Sequence, residues 1–224
     1  MSGSASQVGA FPARPPVPPP WRVELLLWTG VELLDFAGPA QVLQVARMGS
    51  GEPAFRLRTL APPGAEVTSQ GFLRVRADGV LDARGTSPDL LVIPGGETDA
   101  ALREVEFMEG LGHAARRAGH VLSVCTGALL LAHVGLLANR PATTWHGAFD
   151  RLRAVEPRVQ LLSGARWVSE GRVTTAAGVS AGIDAALALV EEWLGRTEAE
   201  RVAHYMEYPL PPAGSASDAI RSSS

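Results

Sequence analysis

The chain has a single cysteine, Cys125, which excludes an intramolecular disulfide and fits a reducing compartment, with the cytoplasm as the expected location. A large excess of either charge is also lacking. Twenty basic and 23 acidic side chains leave a net charge of −3 and a pI near 6.0, so neither nucleic acid nor an anionic membrane is a favoured partner. No histidine among His113, His120, His133, His146 and His204 has metal-ligand spacing to Cys125 or to carboxylates, and no metal is expected. No internal repeat is visible. The first 20 residues, MSGSASQVGAFPARPPVPPP, lack the apolar core of a signal peptide, and their prolines predict an extended, solvated leader. Residues 211–224, rich in Pro, Ala, Gly and Ser, have no face to bury and read as a mobile tail.

What is present is apolar: 46% of residues are hydrophobic and 19% charged, enough for one α/β domain, placed at residues 21–210. Charged side chains are missing from Val121 to Ala138, but Ser123, Cys125, Thr126, Gly127 and His133 interrupt the stretch. It therefore reads as a buried strand and a buried helix, not a membrane span. Further strands are expected at 22–28, 55–60, 90–93, 159–162, and at 165–168 and 172–175 as a hairpin turning at Glu170-Gly171. A hairpin or excursion is expected around Gly71. Helices are expected after Pro39, with Asp35 in the loop before it, and over 99–118, 128–137, 148–155, 180–194 and 197–205, Gly195 separating the last two. This alternation predicts a mostly parallel sheet covered by helices on both faces, flavodoxin-like, with ligands at the carboxyl ends of its strands.

Cys125 falls on the turn between strand 120–124 and the following helix, a nucleophile elbow. There the positive end of the helix would bias the thiol toward thiolate; a small buried hydrophobe is the other reading. Asp35, flanked by Leu33, Leu34 and Phe36, is either a poorly solvated carboxyl held protonated as a proton source or a helix N-cap. Gly95 and Gly96 can bring amides close to a ligand as an anion-stabilising pocket, or serve only their turn. The Thr126 hydroxyl can hold a water or substrate atom, or satisfy backbone donors. His146, beside Trp145, is the histidine best placed to reach the thiol; packing or capping is the alternative. The small-residue string from Ala176 to Gly182 suits close helix packing, and amides there can also face the pocket.

In order along the chain, LLDFAGPAQVL, LLVIPGG, VLSVCTGALLLAHVGLLANRPATTWH, GVSAGIDAALAL and MEYPL resemble the ThiJ/PfpI superfamily of class I glutamine-amidotransferase-like proteins, and within it the isonitrile hydratases. The resemblance runs from about Val23 to Leu210. It implies a hydro-lyase adding water to an isonitrile to give an N-substituted formamide, with Asp35, Cys125 and Thr126 at the catalytic positions, no cofactor, a small-molecule substrate and a homodimer. Domains fused to AraC-type regulators share this vocabulary. Only a short tail follows Leu210, so a free-standing enzyme is expected over a transcription factor; a thiol sensor, a ligand-binding domain and an aldehyde- or amide-processing enzyme are the alternatives. The chain departs from many relatives at Trp145-His146, where they read histidine before tryptophan, which weakens a Cys-His dyad.

Overall fold

The computed structural model describes residues 6–9, 11, 13–64 and 66–210, with residues 6–8 described by their backbone. The chain runs β1 (Ser6–Val8), β2 (Trp21–Leu26), α1 (Leu33–Val45), β3 (Phe55–Ala61), β4 (Glu66–Ser69), β5 (Leu73–Arg76), β6 (Gly79–Val80) and β7 (Leu90–Ile93). Then come α2 (Thr98–Arg103), α3 (Val105–Arg117), β8 (His120–Val124), α4 (Gly127–His133), β9 (Pro141–Ala142), a 3-10 turn (His146–Ala148) and α5 (Phe149–Val155). The last elements are β10 (Gln160–Leu161), β11 (Ala165–Glu170), β12 (Val173–Ala176), α6 (Ala181–Leu194) and α7 (Arg196–Tyr205). The main sheet has the order β1-β11-β12-β8-β7-β2-β3-β6, parallel throughout except for the β11–β12 hairpin.

Both faces of this sheet are buried, which is why its central strands are continuous apolar runs instead of alternating ones. Leu90, Val92, Leu122 and Val124 face a core shared with α1, α6 and α7, while Leu91, Ile93 and Val121 face one shared with α2, α3, α4 and α5. After β2 the chain moves to β3 and β6 on one side, then returns to β7 and β8 on the other. The strand order therefore reverses between β2 and β7, the place where open α/β sheets leave a crevice at their carboxyl ends.

Four differences from the sequence expectations have physical causes. Helix α1 begins at Leu33, not at Pro39, so Asp35 lies in its first turn and not in a loop. Gly38 and Pro39 face α6 at close range: a Cβ on Gly38 would lie 2.9 Å from Ile183, and one on Gly182 would lie 3.2 Å from Pro39. Tertiary packing thus overrides the preference of proline for a helix start. The stretch expected as one helix over 99–118 is broken at Glu104 into α2 and α3, and the one expected over 128–137 ends early at Gly135, whose φ of +77° stops it. Within the leader expected to be solvated, Ser6–Val8 pairs in parallel with β11, and Phe11 is buried against Trp167 and His120 with ring centroids 4.7 and 5.6 Å away. Burying an aromatic ring outweighs the polyproline preference there. The tail at 211–224 lies outside the described residues.

The hairpin at Gly71 forms as expected, β4 with β5, and its tip buttresses the entry to α1. Ser69 donates to the Val31 carbonyl at 2.7 Å, and the Gln70 amide donates to the Glu32 carboxylate. Among the described residues no helix is long and apolar enough to cross a membrane. The start of α4 lies hard against the end of β7 at Gly127, where a Cβ would meet the Ile93 and Pro94 carbonyl oxygens at 2.3 and 2.6 Å. Gly127→Ala should therefore destabilise the protein by about 1–3 kcal/mol. Urea denaturation checks this; a loss below ~0.5 kcal/mol would show that the backbone yields freely.

Candidate active site

Loops from the carboxyl ends of β2, β7 and β8 meet at the reversal of strand order, and each brings one element of the site. Asp35 is fully buried in the first turn of α1, and its Oδ2 accepts the Gly95 amide at 2.9 Å. The helix N-cap is Glu32, so the capping reading of Asp35 does not hold. Its Oδ1 is buried with no hydrogen-bond partner among the described residues. Burial, reinforced by the charge of Glu32, pushes the carboxyl from its ordinary 3.8 up to about 7, against the pull of the Gly95 amide, the Cys125 thiol and the Val179 amide.

Cys125 sits on the elbow in the left-handed region, at φ +57°, a conformation that costs a side-chain-bearing residue energy and persists only when its surroundings enforce it. The enforcing bonds are visible. Its N–H donates to the Ala176 and Ala177 carbonyls at 3.1 and 2.7 Å, and its own carbonyl accepts the Thr144 hydroxyl at 2.7 Å. The side chain is 7% exposed, neither sealed nor open.

The thiolate bias expected from the helix is reversed. Burial first, and the charge of Asp35 second, push the thiol from 9.0 up to about 12, although the Thr126 and Val179 amides oppose the shift. Magnitudes explain the outcome: a helix dipole gives a charge about 0.3–1 kcal/mol, whereas a rise of this size corresponds to about 4 kcal/mol. Asp35 and Cys125 thus form a coupled pair in which a neutral thiol lies beside a carboxyl poised to gain or lose a proton near neutrality.

Gly95 and Gly96 serve the site differently from expectation. Their amides are occupied within the protein, that of Gly95 by Asp35 and that of Gly96 by the Thr126 hydroxyl at 2.9 Å, so they do not form the anion-stabilising pocket. The same hydroxyl donates to the Gly96 carbonyl at 3.0 Å, which turns Thr126 into a clamp on this loop instead of a holder of water. Both glycines are required by space: a Cβ on Gly95 would lie 2.6 Å from the Thr126 amide, and one on Gly96 would lie 2.2 Å from the Gly30 carbonyl. The donors that bear on the thiol are the amides of Thr126 and Val179.

His146 is exposed and packs against Trp145, ring centroids 4.8 Å apart; no hydrogen bond joins it to Cys125 among the described residues. Sequence reasoning did not single out Thr144, which fixes the elbow, or Val179, a β-branched residue at φ +50° whose amide favours the charged forms of both reactive groups. Val179 lies inside the string of small residues whose amides were expected near the pocket. Gly178 before it and the Ser180 cap after it are the visible signal of an irregular turn there.

A model of the DJ-1/PfpI family matches residues 21–192. The chain belongs to the DJ-1/PfpI family. It is 33% identical to the isonitrile hydratase of Pseudomonas putida over 198 residues, 88% of this chain and 82% of that protein. It is also 31% identical to the HTH-type transcriptional regulator GlxA of Rhizobium meliloti over 88% of this chain, spanning 62% of that protein. Among solved structures, a ThiJ/PfpI family protein from Pseudomonas syringae superposes with a TM-score of 0.74 at 28% identity, over 86% of this chain and 77% of that one. DJ-1beta of Drosophila melanogaster shares the fold, with a TM-score of 0.71 at 20% identity over 84% of this chain and 98% of that one.

The raised Asp35 carboxyl has a consequence for stability. Because its folded value lies near 7, the native protein keeps a proton that the unfolded chain releases above about pH 4. Stability should fall as pH rises from about 4 to about 7, by on the order of 4 kcal/mol. Asp35→Asn should flatten this dependence in denaturation curves recorded from pH 4 to 8; an undiminished slope in the variant would contradict the assignment.

Proposed function

We propose that this DJ-1/PfpI-family protein is an isonitrile hydratase, converting R–N≡C and water to the formamide R–NH–CHO. The observation that carries the reading is the pairing of a buried carboxyl near neutrality with a protonated thiol on an elbow. An isonitrile carbon must receive a nucleophile and a proton at the same atom, and this pair supplies both without a cofactor. Identity to the Pseudomonas putida hydratase over most of both chains supports it.

In the proposed sequence, ionised Asp35 takes the Cys125 proton as sulfur bonds to the isonitrile carbon, and returns it to that carbon, giving the thioimidate R–N=CH–S–Cys125. Water then adds to the C=N bond, its proton passing by way of Asp35 to nitrogen. The C–S bond breaks, the sulfur regains a proton from the hydroxyl as it becomes a carbonyl, and the formamide leaves. The Thr126 and Val179 amides stabilise charge on sulfur during attack and departure. Gly95 holds the carboxylate, and the Thr126 hydroxyl fixes Gly96. The same reading takes the protein as a homodimer acting on a small molecule, which rests on the family resemblance, and places it in the cytoplasm, the reducing compartment that suits a lone cysteine.

The second reading, a ligand-binding domain without turnover, is favoured by the regulator relatives, which include the 26% identical HTH-type regulator GbdR of Pseudomonas aeruginosa. A redox sensor fits the site less well, because oxidation proceeds through the thiolate that burial here suppresses.

Cyclohexyl isocyanide turnover tests the choice. Cys125→Ala should abolish it and Asp35→Asn should reduce it about 10²–10⁴-fold. Because Asp35 must be ionised to accept the thiol proton, kcat/KM should rise with pH through about 7. Saturable binding without turnover would leave the ligand-binding domain, and near-wild-type rates in either variant would end the proposed roles.

A further inference from the structure

Beside the elbow stands a large apolar side chain that the chemistry above does not use. Trp145 follows Thr144, whose hydroxyl holds the Cys125 carbonyl, and its indole overlies Gly178. Gly178 lies between Ala177, whose carbonyl accepts the Cys125 amide, and Val179, whose amide bears on the thiol and on Asp35. The indole is therefore placed at the rim of the reactive pair by two separate connections. It is also pinned. A Cβ on Gly178 would lie 2.5 Å from Trp145 Cδ1, and one on Gly147 would lie 2.3 Å from its six-membered ring, so two glycines form the notch that seats it, with the His146 ring tilted against it.

Despite this confinement Trp145 is 39% exposed, an apolar surface held rigid in water. Leu34, immediately before Asp35, is 37% exposed. Trp145 thus presents an apolar surface at the rim, and among the described residues no cationic side chain hydrogen-bonds to Asp35 or Cys125. Such a mouth offers nothing to a carboxylate or phosphate and favours an uncharged substrate with a bulky apolar substituent.

We propose that Trp145, seated on Gly178 and Gly147, is the specificity-determining wall that receives the apolar substituent of the substrate. The inference deepens the isonitrile reading by naming the class of R group. The exchanged order of Trp145 and His146 gains a structural meaning: it puts the indole, and not the imidazole, into the glycine notch beside the elbow.

The single cysteine allows a test that does not depend on turnover. Alkylation of Cys125 by N-cyclohexylmaleimide and N-methylmaleimide is followed by intact mass, with a free thiol as reference. The wild type should favour the cyclohexyl reagent over the reference ratio; Trp145→Ala should cut that preference about tenfold and Trp145→Phe should retain most of it. A parallel measurement compares KM for cyclohexyl and methyl isocyanide, whose ratio should shift toward the small substrate in Trp145→Ala. No preference in the wild type, or an equal preference in Trp145→Ala, overturns the wall. Loss of the alkylation preference in a protein that hydrates neither isonitrile keeps the wall and rejects the hydratase.

Discussion

The hydrogen bond from the Gly95 amide to the Asp35 carboxyl joins the first turn of α1 to the loop after β7, across the point where strand order reverses. Most of the site is arranged around it. Gly95 has no room for a side chain because the Thr126 amide stands against it, and Thr126 in turn clamps Gly96 from both sides. The elbow is pressed onto the end of β7 closely enough that a Cβ at position 127 would force the backbone to shift. One buried carboxyl thus has a single well-formed protein partner, and the resulting undersolvation lifts it to neutrality.

The same compactness decides the state of the sulfur. An elbow exposed to solvent at the start of a long helix would favour thiolate, but here the helix has seven residues and the thiol is largely buried beside a second acid. Desolvation outweighs the dipole, and the proton stays on sulfur until a neighbouring base removes it. Reactivity is then conditional: it depends on the ionisation of Asp35 and on what enters the crevice, which protects a lone thiol from incidental oxidation.

Strands, their buried character and the position of the elbow were legible in the sequence because continuous apolar runs such as LLVI and HVLSV bounded by Gly-rich turns leave few alternatives. Strand order put Asp35 and Cys125 near one end of the sheet, and the family resemblance implied them as a catalytic pair. Their protonation was only half legible: an Asp among leucines signals desolvation, but the depth of the thiol depends on how closely β7, α4 and the turn at Val179 pack, which no local pattern encodes. Gly95 and Gly96 were recognised as close-approach residues, yet what approaches them is protein, Thr126 and Gly30, and not ligand. Pro39 misled because it normally opens a helix, and only the contact of α1 with α6 shows why the helix begins six residues earlier.

The short strand at Ser6–Val8 occupies the outer side of β11, and Phe11 fills a recess against Trp167. Without those residues β11 would present unpaired amides and carbonyls along the rim of the sheet, a template onto which another polypeptide can add a strand. Shortened forms beginning at position 21 would then gain a sticky border. Self-association measured on such forms would report the missing seam and not the habits of the whole protein.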